Sequence, residues 1–319
     1  MSKKEIRNSL LLVLAALIWG AAFVAQTTGG DAVGPYSFNS IRMLIGAVVL
    51  VPVICITDMR EKKKRTKKQR TEETCERKDT KTLIIGGICC GVVLFVASNL
   101  QQVGITMGVS SGKAGFLTAC YILLVPVFGL LFKKKCGLNV WIGVVLAVAG
   151  LYLLCMNGSI SLQLRDICVL LCAVCFAVHI LAVDYFSPRT DGVRLSCLQF
   201  LTCGLLGVIP TVGVDMAKIG VNEWIRALMS IQAWIPILYA GVMSCGIAYT
   251  LQIIGQDGLN PTVASLLMSL ESVFAALAGW VILRQILSGK EIMGCLLIFV
   301  AIVLAQIDFK SVKGKETLT

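Results

Sequence analysis

The sequence predicts an all-α integral membrane protein of about ten transmembrane helices, arranged as two inverted five-helix repeats. Three observations predict it. Of 319 residues, 57% are hydrophobic and 15% charged, with a mean hydropathy of +0.84. An ordinary soluble domain carries about 25% charged residues, and one soluble core could not hide so much apolar surface. Apolar runs of about 20 residues, the length that crosses a bilayer, recur along the whole chain. Finally, the two halves of the chain align with each other.

Ten runs qualify as spans: 8-28, 36-57, 82-104, 110-132, 138-156, 166-185, 194-214, 232-254, 261-283 and 290-308. The first lies in MSKKEIRNSLLLVLAALIWGAAFVAQ, which has the outline of a signal peptide with a cleavage-like stretch from Ala22 to Gln26. Its apolar core outruns the usual h-region of about 7 to 15 residues, so it reads as a retained helix. The second span runs into DMREKKKRTKKQRTEETCERKDTK (58-81), too charged to fold alone, which reads as a basic cytoplasmic loop beside anionic lipid. In the third, Gly87 and Gly91 allow a close helix crossing, and in the fourth Pro126 predicts a kink. The remaining spans follow at short connections, so neighbours pair as antiparallel hairpins.

The net charge of +11 could suggest nucleic acid, but the basic residues sit in short loops and at the termini. Loop 58-81, Lys133, Lys134, Lys135, Arg189 and Arg194 fall on one side; Arg165, Lys218, Arg226, Arg284 and Lys290 fall on the other. The positive-inside rule therefore places both termini in the cytoplasm of a cell (plasma or inner) membrane. Nearly all of the fourteen cysteines lie inside the spans, where they act as small packing residues, and no structural disulfide is expected.

A shift of 150 residues aligns Gly91 with Gly241, Gln102 with Gln252, Gly108 with Gly258, Ala114 with Ala264, Leu117 with Leu267 and Gly129 with Gly279, without a gap. A slightly larger shift pairs Gly46 with Gly204 and Pro52 with Pro210, and sets Trp19 against Phe176. The expected units are residues 1-157 and 158-309, followed by a cytoplasmic tail at 310-319. Five spans per half is odd, so the second half enters the membrane from the opposite side, and such halves can exchange conformations around a central site.

With these residues in view, the chain resembles the drug/metabolite transporter superfamily, in its ten-helix EamA-type branch. The resembling stretches are LIWGAAFVAQ (17-26), FNSIRMLIGA (38-47), SSGKAGFLTACYILLVPVFGLLF (110-132) and LLMSLESVFAALAGWVIL (266-283). The resemblance implies a multi-pass carrier of small organic solutes, often amino acids or other metabolites, that works without ATP hydrolysis.

Ionisable residues inside spans are costly and mark functional candidates. Glu271 leads them: either it takes up and releases a proton, or neighbouring Ser269 and Ser272 or a cation hold it as a structural group. Arg42 and Lys113 lie in the outer thirds of their spans; they either snorkel outward or form a cationic wall for a carboxylate or phosphate. His179, the only histidine, shares a helical stripe with Cys168, Cys172 and Cys175. One stripe cannot surround a metal tetrahedrally, so no metal site is expected and His179 reads as a polar cavity group. Gln102, Gln252 and Tyr249 are expected to line the site, while Asn99, Gln101, Gln199 and Tyr121 add polar groups at membrane depth. Trp19 either flanks the pathway or packs at the interface.

The functional expectation is a secondary transporter of amino-acid-like or other anionic or zwitterionic metabolites by alternating access, coupled to protons or to exchange. A passive channel or facilitator and drug-type efflux of lipophilic compounds stay open. An enzyme is not expected, since there is no HExxH, P-loop or ligand cluster, and GVSSG (108-112) lies between two membrane helices rather than on a strand-to-helix elbow. No cofactor is expected. The expected partners are a small organic solute and the lipid bilayer, not nucleic acid, with a homodimer left open.

Overall fold

The structure is a computed structural model that describes residues 3-68, 80-109, 111-131, 137-155, 163-283 and 288-306. The middle of loop 58-81, Lys133, Lys134, Lys135, Arg284 and the 310-319 tail lie outside the described residues. Every described element is helical. The first half holds α1 (Lys3–Val33), α2 (Pro35–Lys68), α3 (Thr80–Thr106), α4 (Ser111–Ala119), α5 (Tyr121–Leu131) and α6 (Leu138–Cys155). In the second half α7 (Leu164–Phe186) and α8 (Gly192–Pro210) lead through a π-helical turn, Thr211–Met216, to α9 (Ala217–Ile219) and α10 (Val221–Leu228). There follow α11 (Ile231–Leu238), a π-helical segment Tyr239–Tyr249, α12 (Thr250–Gln256), α13 (Pro261–Met268), α14 (Leu270–Leu283) and α15 (Gly289–Gln306). Among the described residues, seven helices are long and apolar enough to cross a membrane, and two shorter apolar helices join them at Leu138–Leu153 and Pro261–Leu277.

Large apolar side chains point outward at Leu10, Val48, Ile84, Val145, Leu171 and Leu205, whereas Arg42, Gln102, His179, Gln199, Gln252 and Glu271 are buried. A water-soluble fold shows the reverse arrangement; here lipid takes the apolar face and the bundle interior keeps the polar groups. This is an all-α, multi-pass membrane protein.

The packing pairs respect the repeat. The pairs α2 with α8 and α6 with α15 join equivalent helices of the two halves. The contact of α3 with α7 has its counterpart in α1 with α11 and α12, and α4 and α5 against α7 are matched by α13 and α14 against α1. Exchanging the halves therefore maps the contacts onto one another, as an inverted repeat requires.

Glycines set how closely these helices approach. At Gly20 an added Cβ would come 2.7 Å from Phe274 Cβ, 2.8 Å from the Ala275 nitrogen and 2.8 Å from the Glu271 carbonyl oxygen. Two of these neighbours are backbone and cannot rotate away. Gly20→Ala is expected to cost about 1–3 kcal/mol by overpacking; thermal melting of the purified protein checks it.

Two rods are broken inside the bundle. The fourth is interrupted at Cys120, between α4 and α5, and the ninth at Ser269, between α13 and α14. The kink expected from Pro126 is displaced: Pro126 lies within α5, six residues past the interruption. Proline is not the common cause, since the ninth rod breaks with none at the equivalent place. Both breaks share a polar side chain folded back on its own helix, Cys120 Sγ to the Phe116 carbonyl and Ser269 Oγ to the Leu266 carbonyl. Such bonds compete with the helix ladder and bend it.

Candidate functional site

The interruptions place Tyr121 at the first position of α5 and Glu271 at the second of α14, and both line a central cavity. The two residues are equivalent under the 150-residue shift, so the acid is present in only one half. Repeat equivalence orders much of the remaining wall. Thr118 pairs with Met268, Trp19 with Phe176 and Phe23 with Ile180, and all six line the cavity. Gln26, Arg42, Gln101, Ser244, Tyr249 and Gln252 complete it. The cavity has about 50 Å³ of room, enough for a few waters, so an organic solute needs the helices to part.

Glu271 is 6% exposed, and Oε1 has no hydrogen-bond partner, while Tyr121, 4% exposed, lines the same cavity. Arg42, 2% exposed, donates from Nε to Asn39 Oδ1 at 2.7 Å and stacks over the Phe38 ring at 5.3 Å. Asn39 in turn donates to the Ser98 carbonyl at 2.8 Å and to Asn99 Oδ1 at 3.1 Å, which ties the guanidinium's orientation to α3. Among the described residues Arg42 and Glu271 form no ion pair, with each other or with any other group. Trp19 Nε1, Gln26 Oε1 and Gln252 Oε1 are also buried without a partner. Buried polar atoms are normally satisfied, so a cavity wall carrying four such orphans is built for water or a ligand.

Aromatic packing fixes this wall. Tyr249 meets Trp19 edge-on with centroids 4.9 Å apart and also contacts Phe200 and His179. Tyr249 and Ser244 sit on the π-helical segment, a distortion that often marks functional positions.

Of the candidates expected from the sequence, Glu271, Arg42, Gln252, Tyr249 and Trp19 line the cavity. Three do not. Gln102 is turned away: Nε2 donates to the Gln26 carbonyl at 2.7 Å, gluing α3 to α1 beside Gly30, and its neighbour Gln101 faces the cavity, donating to Thr118 Oγ1 at 3.0 Å. His179 stands behind the wall, with Nε2 3.0 Å from Gln199 Oε1 and the ring against Tyr249. Lys113 is the clearest correction. It neither snorkels free nor joins a cationic wall but pairs with Asp166 at 2.7 Å, and the same Asp166 oxygen accepts the Gln163 amide at the start of α7. Asp166 is fully buried, and the pair supplies its charge partner. Lys113→Met is expected to cost about 1–3 kcal/mol of stability, below the roughly 3–5 of a fully buried pair because Lys113 reaches solvent. Melting should fall while the KM of the transported solute holds. Gln26, Thr118, Ser244, Phe23, Phe176, Ile180 and Met268 were not anticipated; the repeat register, applied to Trp19, could have found Phe176.

The model of the EamA-like transporter family matches residues 7–156 and again 163–306. A protein of Archaeoglobus fulgidus described as an uncharacterized transporter is 25% identical over 305 residues, covering 95% of this chain and 87% of its own length. The uncharacterized transporter YoaV of Bacillus subtilis is 22% identical over 313 residues, covering 95% and 98%. A solved crystal structure superimposes with a TM-score of 0.70 at 17% identity, over 94% of this chain and 96% of the other, which shows a shared fold. A family model matched twice in tandem, over most of the chain and on an all-helical bundle with a polar centre, leaves one assignment: the chain belongs to the EamA-like transporter family of the drug/metabolite transporter superfamily.

Proposed function

We propose that the protein is a secondary transporter that carries small anionic or zwitterionic organic metabolites across the cell membrane by alternating access. The observation that carries this reading is the central cavity, which holds one buried guanidinium and one buried carboxyl group that are not paired with each other. Two opposite charges kept apart suit a solute bearing both, with the carboxylate on Arg42 and an amine near Glu271. A lipophilic cation would meet Arg42 unfavourably, which disfavours drug-type efflux. The small cavity, with room for only a few waters, and the two broken rods beside it favour a carrier over an open channel. The basic loop 58-81 supports cytoplasmic termini in the plasma or inner membrane. Coupling to a proton gradient, or to exchange, would act through Glu271.

The test is uptake of a pooled metabolite mixture by purified protein in liposomes, with and without an imposed pH gradient, alongside electrical recording. Gradient-dependent accumulation of an amino-acid-like or other anionic solute, without single-channel currents, is the expected result. Downhill flux alone, at channel conductance, would replace a carrier with a pore.

A further inference from the structure

α2 and α8 are equivalent helices of the two halves and pack against each other, and each end of the pair carries one aspartate fastened to the partner helix. At one end, Asp215, in the turn that closes α8, accepts the Ser37 amide at 2.7 Å and the Ser37 hydroxyl at 2.8 Å through the same Oδ2. Trp224 of α10 adds a bond from Nε1 to Ser37 Oγ at 2.9 Å. At the other end, Asp58, toward the far end of α2, pairs with Arg194 of α8. Ser37 and Arg194 are each the third residue of their helix, so the two fastenings are the same device in the two repeats.

We propose that Asp215 with Ser37 and Asp58 with Arg194 are the two end latches of the transport cycle, released alternately as the bundle opens to one side and then the other. This rests on the alternating-access reading above. With both latches made, the central cavity has room for only a few waters.

The latches differ in a way that sets their order of release. Asp215 and Ser37 are 6% and 0% exposed, whereas the side chains of Arg194 and Asp58 are 44% and 41% exposed. Gly34, at φ +92°, lets Asp215 approach; a Cβ there would lie 2.5 Å from its Cγ. The buried latch keeps its hydrogen bonds away from water, while an exposed ion pair contributes little and is screened by salt. With cytoplasmic termini, the Asp58 latch faces inward and opens first, and the Asp215 latch holds the outer end shut.

Hydrogen–deuterium exchange of the full chain in nanodiscs tests this without a substrate, on wild type, Asp215→Asn and Asp58→Asn. Asp215→Asn should speed exchange of residues 35-40 and 221-228 roughly fivefold, the factor for one lost net hydrogen bond, and slow it at residues 190-198. Asp58→Asn should give the mirror pattern, and 1 M salt should loosen the Asp58 end alone. Ser37→Ala and Trp224→Phe, which keep the aspartate, read the same latch if Asp215→Asn fails to fold. Faster exchange confined to the altered end, or at both ends in every variant, overturns the proposal. Liposome uptake in the same variants separates the readings. Retained transport without reciprocal exchange removes the latches and leaves the transporter, whereas reciprocal exchange without transport of any pooled solute keeps the latches and removes the proposed cargo.

Discussion

Glu271→Gln is expected to abolish uphill accumulation of the transported solute while leaving downhill exchange intact. The substitution keeps the side chain's size and its place in the cavity wall and removes only the capacity to carry a proton or a negative charge. A one-unit pH difference is equivalent to about 1.4 kcal/mol, so one proton per solute supports at most about tenfold accumulation. Wild type should approach that ratio, and Glu271→Gln should settle near unity. Stability separates this from a structural role. Oε1 has no hydrogen-bond partner, so no bond to it is broken by the amide, and the melting temperature should hold or rise. A fall in melting with unchanged accumulation would make Glu271 a structural group, and coupling would have to lie elsewhere.

The class of fold was legible because lipid leaves a coarse signature: long apolar runs, charges between them and a tandem repeat all survive in one sequence. Glu271 and Arg42 were legible for the related reason that a charge inside an apolar span is expensive enough to be noticed singly. Which glutamine faces the cavity was not. Gln101 and Gln102 are neighbours about 100° apart around α3, and a helix apolar on every side offers no stripe from which to read its rotation. That rotation is set by Gln102 reaching the Gln26 carbonyl, a contact across 76 residues. Lys113 was misjudged for the same reason, since its partner Asp166 lies in the other repeat and comes near only when α4 packs on α7. The broken rods were hidden too. Cys120 and Ser269 are unremarkable in a helix pattern, and the visible proline pointed one and a half turns too far along.

Arg42 should carry the largest loss of substrate binding, and Arg42→Lys should not restore it. The guanidinium is held by Nε on Asn39 and by the Phe38 ring, which leaves the Nη groups without hydrogen-bond partners among the described residues. A fixed planar fork of this kind binds a carboxylate through two parallel bonds; an ammonium on a flexible stem cannot hold Asn39 and the solute together. Loss of a charge-assisted bond worth about 1.5–3 kcal/mol predicts roughly a 10- to 150-fold rise in KM for the solute found in the pooled screen. Asn39→Ala keeps the charge but frees its orientation, so its rise in KM should be smaller and its maximal rate close to wild type. Both variants leave a buried polar group short of a partner, so both should melt earlier. Only a substrate-binding role predicts that Arg42→Lys loses far more affinity than Asn39→Ala at comparable stability, and equal losses in the two would mean that Arg42 holds α2 to α3 and touches no solute.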